Sequence, residues 1–293
     1  MSTFRAHAKL NLALAVAPPE SAQAERPGWH RITSWVHAIE LCDTIRIESG
    51  ADGFGVSWLD DPRRPVDWAT EQDLAYRAKA ALGAKFDEPI RARVEVSKQI
   101  PAGAGLGGGS SDAAVTLTAL NALAPKPLRA DQLADIGGLI GSDVPFFLDG
   151  PPPRPALVSN FGDRISRLKK YDLGAVLFVP PFGCPTPAVY AAYDDHPRDV
   201  ESFDQAADRI VALCRSLIDG DLFNDLEPAA CSIAPRLGSL LDTLRTTMDR
   251  PVHMSGSGST LFMLCDPADM IDLADRARES VGHECRVIPT RLT

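Results

Sequence analysis

An α+β fold in two parts is what this sequence predicts, and three observations carry the prediction. Segments with strand alternation and segments with helical spacing come in runs, not in strict β-α order. A glycine-rich stretch, Gly103 to Gly109, leads straight into the clearest helical pattern of the chain. A proline run, Pro151-Pro152-Pro153-Arg154-Pro155, is the sharpest break in composition and divides the chain into residues 1–152 and 153–293. A length of 293 residues and 45% hydrophobic content are enough for two ordinary cores.

Ala8 to Val16 alternates polar and small apolar residues and predicts a strand. After a loop over Pro18–Pro27, Trp29 to His37 and Asp43 to Ser49 predict two further strands. Ala69 to Leu82 has helical spacing, with Gly83 as its stop. In Arg91 to Gln99, Ala92, Val94 and Val96 alternate with Arg91, Arg93 and Glu95, the pattern of a half-buried strand that Pro101 ends. Ser110 to Leu123 is the clearest helix. Ser110 or Ser111 is its expected cap, Asp112 suits the positive first turn, and Pro125 and Pro127 close it. Asp131 to Ile140 predicts a shorter helix, followed by the segment Gly141-Ser142-Asp143-Val144-Pro145-Phe146-Phe147-Leu148. Beyond the proline run, Gly174 to Val179 predicts a buried strand, and Gln205 to Ile218 and Ser232 to Thr247 predict helices. Ser255-Gly256-Ser257-Gly258-Ser259-Thr260 is a second glycine turn before the strand Leu261 to Cys265.

Composition excludes several functions. A formal net charge of −9 argues against a broad nucleic-acid surface, although an acidic protein can still bind phosphate through backbone amides. No stretch approaches 18 apolar residues and the first residues lack a signal-peptide pattern, so a cytoplasmic protein with no membrane partner is expected. The six cysteines, Cys42, Cys184, Cys214, Cys231, Cys265 and Cys285, form no C-x-x-C pair, so free thiols are expected. No histidine spacing suggests a zinc site, and the sequence assigns no metal ligands.

Five glycines in the seven positions from 103 to 109 point to a backbone that turns sharply or approaches something closely. Placed before a helix, such a loop presents free N–H groups and a positive dipole end, which suits a phosphate. Gly103-x-Gly105-x-x-Gly108 formally matches the dinucleotide fingerprint. However, Pro101 separates it from the preceding strand, and Pro125-Lys126-Pro127 stands where the second strand of that unit belongs. The P-loop pattern fails because no Gly-Lys-Ser/Thr follows, and the protein-kinase pattern lacks H-R-D and D-F-G. Asp143, set among Val144, Pro145, Phe146 and Phe147, is a carboxylate in apolar company: a candidate base or a helix cap. Lys9 lies on a strand of small and apolar residues, either pointing into a site or solvated at an edge. Trp29 suits either base stacking or core packing.

Pro101-x-x-x-Gly105-Leu106-Gly107-Gly108-Gly109-Ser110-Ser111, with Asp112-Ala113-Ala114 after it, resembles the phosphate loop of the GHMP small-molecule kinases. Within that family the triple glycine is similar to the branch that phosphorylates 4-diphosphocytidyl-2-C-methyl-D-erythritol. Ala8-Lys9-Leu10-Asn11-Leu12, Pro27-Gly28-Trp29-His30, Gly141-Ser142-Asp143-Val144-Pro145, Pro185-Thr186-Pro187, Asn224-Asp225-Leu226-Glu227 and Ser255-Gly256-Ser257-Gly258 resemble further segments of that branch, in the same order.

The resemblance implies a two-domain fold, with an N-terminal nucleotide and catalytic domain and a C-terminal α/β domain on the substrate side. It also implies ATP-dependent phosphorylation of the 2-hydroxyl of the cytidylyl alcohol, a step of non-mevalonate isoprenoid precursor synthesis, with Mg²⁺ accompanying ATP. Lys98, Pro101, Ala102, Gly103, Ala104, Gly105, Leu106, Gly107, Gly108, Gly109, Ser110 and Ser111 would hold the nucleotide. Asp143 would take the hydroxyl proton and Lys9 would hold Asp143 and the oxygen in place. Asn11, Trp29, His30, Asp143 and Thr186 would contact the acceptor. Three places depart from the branch: Trp29 replaces a tyrosine, Asp73 replaces an asparagine before Leu74, and Asn160-Phe161-Gly162-Asp163 replaces a smaller, glycine-richer segment. Another alcohol acceptor, a nucleotide-binding protein without catalysis, and a nicotinamide-dependent oxidoreductase stay open on the residues alone.

Overall fold

The computed structural model describes residues 1–195 and 202–293. Its elements are β1 (Ser2–Pro19), β2 (His30–Ser49), β3 (Gly53–Trp58), α1 (Leu74–Phe86), β4 (Ala92–Lys98), α2 (Gly108–Asn121), α3 (Ala130–Ile140), α4 (Val144–Phe147), β5 (Ala156–Asn160), β6 (Arg164–Arg167) and β7 (Gly174–Val179). They are followed by α5 (Thr186–Asp195), α6 (Phe203–Leu213), α7 (Glu227–Ile233), α8 (Pro235–Thr247), β8 (His253–Met254), β9 (Leu261–Cys265), α9 (Met270–Val281) and β10 (Arg286–Arg291). The fold is α+β. The chain forms two compact units: residues 1–8, 40–102 and 107–154 make one, and residues 9–39, 103–106 and 155–293 the other.

In the first unit, β4 is the middle strand. It pairs in parallel with β3, from Gly53 opposite Arg93 to Trp58 opposite Lys98, and antiparallel with the second half of β2. Ala92, Val94, Val96 and Lys98 share one buried face of β4. The helix α2 packs on β4 and is buried along nearly its whole length, which fits its Ala/Leu/Val composition and makes it the central helix of the unit.

Three boundaries differ from the sequence expectation for identifiable reasons. The helix α1 starts at Leu74, not Ala69, because Asp73 caps it; Thr70–Gln72 form a separate 3₁₀ turn. It also runs through Gly83, where a Cβ would stand 3.1 Å from the Glu88 carbonyl oxygen, and ends at Asp87 in a left-handed conformation. There the glycine serves the close return of the chain rather than the stop. Likewise α2 begins at Gly108 with Gly107 as its cap, so Ser110 and Ser111 lie in the first turn and do not cap it.

In the second unit the strands run β10-β7-β9-β8, all antiparallel. Val176 and Phe178 of β7 and Leu261 and Met263 of β9 form a core with Leu237, Leu241 and Leu244 of α8, and with Leu273, Ala277 and Val281 of α9. Each of these side chains larger than alanine contributes about 1.5–3 kcal/mol through burial. The helix predicted from Ser232 is broken at Ala234, since Pro235 lacks an N–H and disfavours helical geometry in the residue before it; α7 ends and α8 begins there. The two strands predicted within residues 29–49 are one strand, β2, whose first half pairs with β5 from Ile32 opposite Asn160 to Val36 opposite Ala156. All six cysteines are free thiols, and burial pushes Cys214 and Cys285 up to about 12. Among the described residues, no helix is long and apolar enough to cross a membrane.

Candidate active site

The glycine loop connects β4 to α2. Gly103, Gly105 and Gly107 all have positive φ (67°, 76° and 69°), the left-handed region that L side chains rarely enter. At Gly105 a second constraint applies: a Cβ would stand 2.5 Å from the Ser255 carbonyl oxygen and 2.9 Å from that of Gly258. Backbone therefore packs on backbone, and only glycine fits. Ala104 accepts a hydrogen bond from the Thr260 N–H (3.3 Å), and Leu106 accepts one from the Lys9 N–H (2.9 Å). The first intrahelical bond of α2 is Ser111 N–H to the Gly107 carbonyl (2.9 Å). The N–H groups of the turn before it have no intrahelical acceptor, and the dipole of a 14-residue helix adds to them. That arrangement can cradle a phosphate.

The elements that flank this loop in the sequence hold a buried charge network in the first unit. The Lys98 ammonium binds the carboxylate of Asp43 and, at 2.6 Å, that of Asp112. Asp43 Oδ1 also accepts the N–H groups of Gln99 (2.5 Å) and Ile100 (2.8 Å), the last residues before Pro101. Burial alone would lower the Lys98 pKa, but the Asp112 and Asp43 carboxylates outweigh it and raise it. Burial pushes Asp112 well above the carboxylate range, the charge of Asp43 adds to this, and Lys98 opposes it. Sequence reasoning placed Lys98 at the nucleotide; here its ammonium is turned inward to the two carboxylates. Asp43 and the burial of Asp112 were missed, since nothing local reveals a partner 55 residues away.

Asp143 occupies the N-cap position of α4, yet its side chain makes no capping hydrogen bond. The capping alternative therefore does not use the carboxylate, which is half-buried beside the apolar Val144–Phe147 turn. Leu74, the first residue of α1, comes within 3.5 Å of the Cβ position of Gly109 and 3.7 Å of that of Gly141. Ser110 Oγ lies 3.7 Å from the same point at Gly141. In this unit the start of α1, the start of α2 and the Asp143 segment thus converge.

In the second unit, Lys9 is 5% exposed, so it is not a solvated edge lysine. Its ammonium donates to Asn11 Oδ1, and the Asn11 amide donates to Ser34 Oγ at 2.8 Å. The Asn11 N–H donates to Ser255 Oγ (3.1 Å), which donates to the Gly105 carbonyl (3.2 Å). A Cβ on Gly256 would stand 3.2 Å from Asn11 Oδ1 and 3.3 Å from Lys9 Nζ, so the glycine turn leaves these two polar heads their space. Asn224 fastens that turn, its amide donating to the carbonyls of Met254 and Gly256, both at 2.8 Å. Thr186 Oγ1 lies 2.9 Å from Ser257 Oγ on the same turn.

Residues 73–151 match the GHMP kinases N terminal domain. A protein of Polaromonas sp. named 4-diphosphocytidyl-2-C-methyl-D-erythritol kinase is 35% identical over 92% of this chain and 84% of its own length. One of the same name from Sulfurovum sp. is 35% identical over 91% of this chain and all of its own. The chain belongs to the 4-diphosphocytidyl-2-C-methyl-D-erythritol kinases of the GHMP family. A crystal structure of 4-(cytidine 5'-diphospho)-2C-methyl-D-erythritol kinase superposes with a TM-score of 0.76 at 32% identity, covering 99% of both chains. A mevalonate kinase from Methanococcus jannaschii shares the fold at 13% identity, with a TM-score of 0.69.

The segment matching the GHMP kinases starts at Asp73, the cap of α1, and takes in the whole triple-glycine turn and Asp143. As a member of a GHMP kinase family, the protein is an ATP-dependent small-molecule kinase. Of the residues that depart from the family pattern, Trp29 is 52% exposed and so is not core packing. The Arg26 guanidinium lies 5.2 Å from its ring centre, and Phe161, at the turn between β5 and β6, meets it edge-on at 6.1 Å. His30 is placed differently: its Nδ1 faces the Ala17 carbonyl at 2.9 Å and therefore carries the proton, and Nε2 lies 3.5 Å from Asp194. The Tyr190 ring stands 4.9 Å from it.

Proposed function

We propose that this protein transfers the γ-phosphoryl group of ATP to the 2-hydroxyl of 4-diphosphocytidyl-2-C-methyl-D-erythritol, a step of non-mevalonate isoprenoid precursor synthesis. Its kinship with enzymes of that name, over nearly its whole length, carries the reading. Phosphoryl transfer needs little covalent chemistry from a protein and much positioning and charge stabilisation. The amides of the 103–111 loop and the dipole of α2 would supply the charge stabilisation.

In the transfer, a bond forms between the acceptor oxygen and the γ-phosphorus while the bond from that phosphorus to the ADP oxygen breaks. Asp143 takes the hydroxyl proton. Lys9, whose ammonium already binds Asn11, steadies the acceptor oxygen. Trp29 offers an exposed π-face to the cytosine base, and Asn11, His30 and Thr186 offer polar groups to the rest of the acceptor. Among the described residues, no three His, Cys, Asp or Glu side chains form a metal cage. Mg²⁺ fits even so, since it takes most of its oxygens from phosphate and water and needs few from the protein. Ser110 and Asp143, on segments that meet at Gly141, would offer it oxygen ligands. When bound, it would neutralise charge on the phosphates.

The test is ADP release in the presence of ATP and each candidate acceptor. Release with the cytidylyl alcohol and not with homoserine, galactose or mevalonate is expected. The reverse pattern would overturn the substrate, and no acceptor-dependent release at all would overturn catalysis.

A further inference from the structure

Two of the three departures from the family pattern lie far apart in sequence and meet in the second unit. Trp29 ends the connection between β1 and β2. Phe161 follows β5, whose last residue, Asn160, is the register partner of Ile32. That register sets the β5–β6 turn beside Trp29, and the two rings meet at 6.1 Å with 85° between their planes. A cation completes the group. The Arg26 guanidinium lies over both rings, 5.2 Å from the centre of Trp29 and 4.9 Å from that of Phe161.

The backbone on each side holds the group in place. The Trp29 N–H donates to the Arg26 carbonyl at 3.1 Å, closing a turn over Arg26-Pro27-Gly28-Trp29. Pro27 at its second position and Gly28, with φ 74°, at its third suit a type II turn. The Glu20 N–H donates to the Trp29 carbonyl (2.7 Å) and the Gly28 N–H to the Glu20 carbonyl (3.0 Å), so the connection is closed at its base. Opposite, Asp163 ties the β5–β6 turn. Its oxygens accept the Asn160 amide (2.9 and 3.1 Å), and Oδ1 accepts the Phe161 N–H (3.0 Å). Burial would raise the Asp163 pKa, but these hydrogen bonds, and after them the charge of Arg26, hold it below the usual carboxylate range.

A cation over a ring face is attracted by the ring quadrupole, and tryptophan is the strongest partner for it. An aromatic ring on a surface loop otherwise turns about its side-chain bonds, and a ligand that binds it must bear the cost of ordering it. From this juxtaposition we infer that Arg26 is a positioning residue for the acceptor: its guanidinium, shared by Trp29 and Phe161, fixes the Trp29 ring before the acceptor's base arrives. The inference rests on the reading that Trp29 receives that base. Trp29 keeps half its surface exposed while Arg26 lies over the ring, so the clamp leaves room for a stacked partner. Both departures then serve one end. The indole in place of a phenol holds the cation more strongly, and Phe161 offers it a second face.

Arg26→Ala, Arg26→Lys, Trp29→Tyr, Trp29→Ala and the double variant Arg26→Ala with Trp29→Tyr test it, with folding checked by melting. Arg26→Ala is expected to raise the KM of the acceptor about three- to tenfold, leaving kcat and the KM for ATP within about twofold. Arg26→Lys recovers part of the loss, because an ammonium keeps the charge and lacks the flat stacking surface. In the Trp29→Tyr background the penalty of Arg26→Ala shrinks, since the phenol holds the guanidinium less. A residue that served only stability would not show that dependence.

Calorimetric titration with cytidine and with CDP measures the clamp without turnover. Arg26→Ala weakens both by the same factor, because it acts through the ring that takes the base. A loss confined to CDP means that Arg26 binds the phosphates directly, and overturns the inference. A folded Arg26→Ala with wild-type affinity for both also overturns it; if Trp29→Ala still weakens both, the base reading survives, and if Trp29→Ala changes neither, that reading falls too. If no acceptor releases ADP from a wild type whose cytidine affinity depends on Arg26 in this way, the activity proposal fails and the inference stands.

Discussion

Asp112 and Lys98 meet at 2.6 Å in the interior of the first unit, one on the first turns of α2 and the other at the end of β4. With Asp43 they tie together the two elements that flank the glycine loop. Two carboxylates share one ammonium, and the second oxygen of Asp112 has no hydrogen-bond partner among the described residues. Asp43 has a much fuller set of partners.

That difference makes the two carboxylates unequal. Asp43→Ala strands a buried ammonium and two loop N–H groups, and is expected to cost about 3–5 kcal/mol in urea denaturation. Asp112→Asn keeps an acceptor for Lys98 while removing the surplus charge, and its cost is expected to be clearly smaller. Equal losses would mean that the network does not depend on how each carboxylate is satisfied.

Asp143→Asn is expected to lower kcat roughly a hundred- to ten-thousand-fold, the range of a lost general base, with ATP still binding. Lys9→Met should fall in the same range. The double variant should be little worse than either single one, since groups that act as a unit are not additive. Single-turnover measurement of ADP with saturating acceptor decides this, and unchanged turnover in Asp143→Asn removes it from the mechanism.

Gly105→Ala is expected to destabilise the protein by more than the ~1–2 kcal/mol of a left-handed alanine, because its methyl group would enter the 2.5 Å space before the Ser255 carbonyl. Loss of melting temperature together with a raised KM for ATP is the expected pair of readouts. An alanine variant as stable as the wild type would contradict the backbone contact described for this loop.

His37 is fully buried on β2, its Nδ1 3.0 Å from the Ala38 carbonyl, and its Nε2 has no partner among the described residues. Burial, with a smaller contribution from Lys170, lowers its pKa from 6.5 to about 4 against the opposing effect of the Ala38 hydrogen bond. The unfolded chain therefore binds the proton first. Stability from this group is complete above pH 6.5 and falls as pH drops toward 4, by up to about 3 kcal/mol. Denaturation curves between pH 7 and 4 should be flatter for His37→Gln than for the wild type; parallel pH dependences would reject the assignment.

How far the sequence could be read depended on whether the signal was local. The glycine loop, α2 and the buried strand β7 are spelled out in consecutive residues, and Gly174–Val179 and Leu261–Cys265 appear where their patterns place them. The helix α9 carries its signal in Leu273, Ala274, Ala277 and Val281, a helical stripe that the sequence reading passed over. The merging of two predicted strands into β2 reflects pairing with β4 along one half and β5 along the other, which no short window contains. Lys9 on a strand of small, apolar residues and Asp143 in apolar company stood out as candidates from their local sequence. The grip of Asp43 on Gln99 and Ile100, and of Arg26 on Phe161, required knowing which distant segments meet.

The hydrogen bonds that the loop accepts make it observable from outside itself. The amides of Lys9 and Thr260 donate to the carbonyls of Leu106 and Ala104, so their rates of hydrogen–deuterium exchange report whether those two loop carbonyls are in place. Slow exchange at both positions without nucleotide would mark a cradle preorganised before its ligand arrives; slowing only when ATP is added would mark one that the ligand assembles.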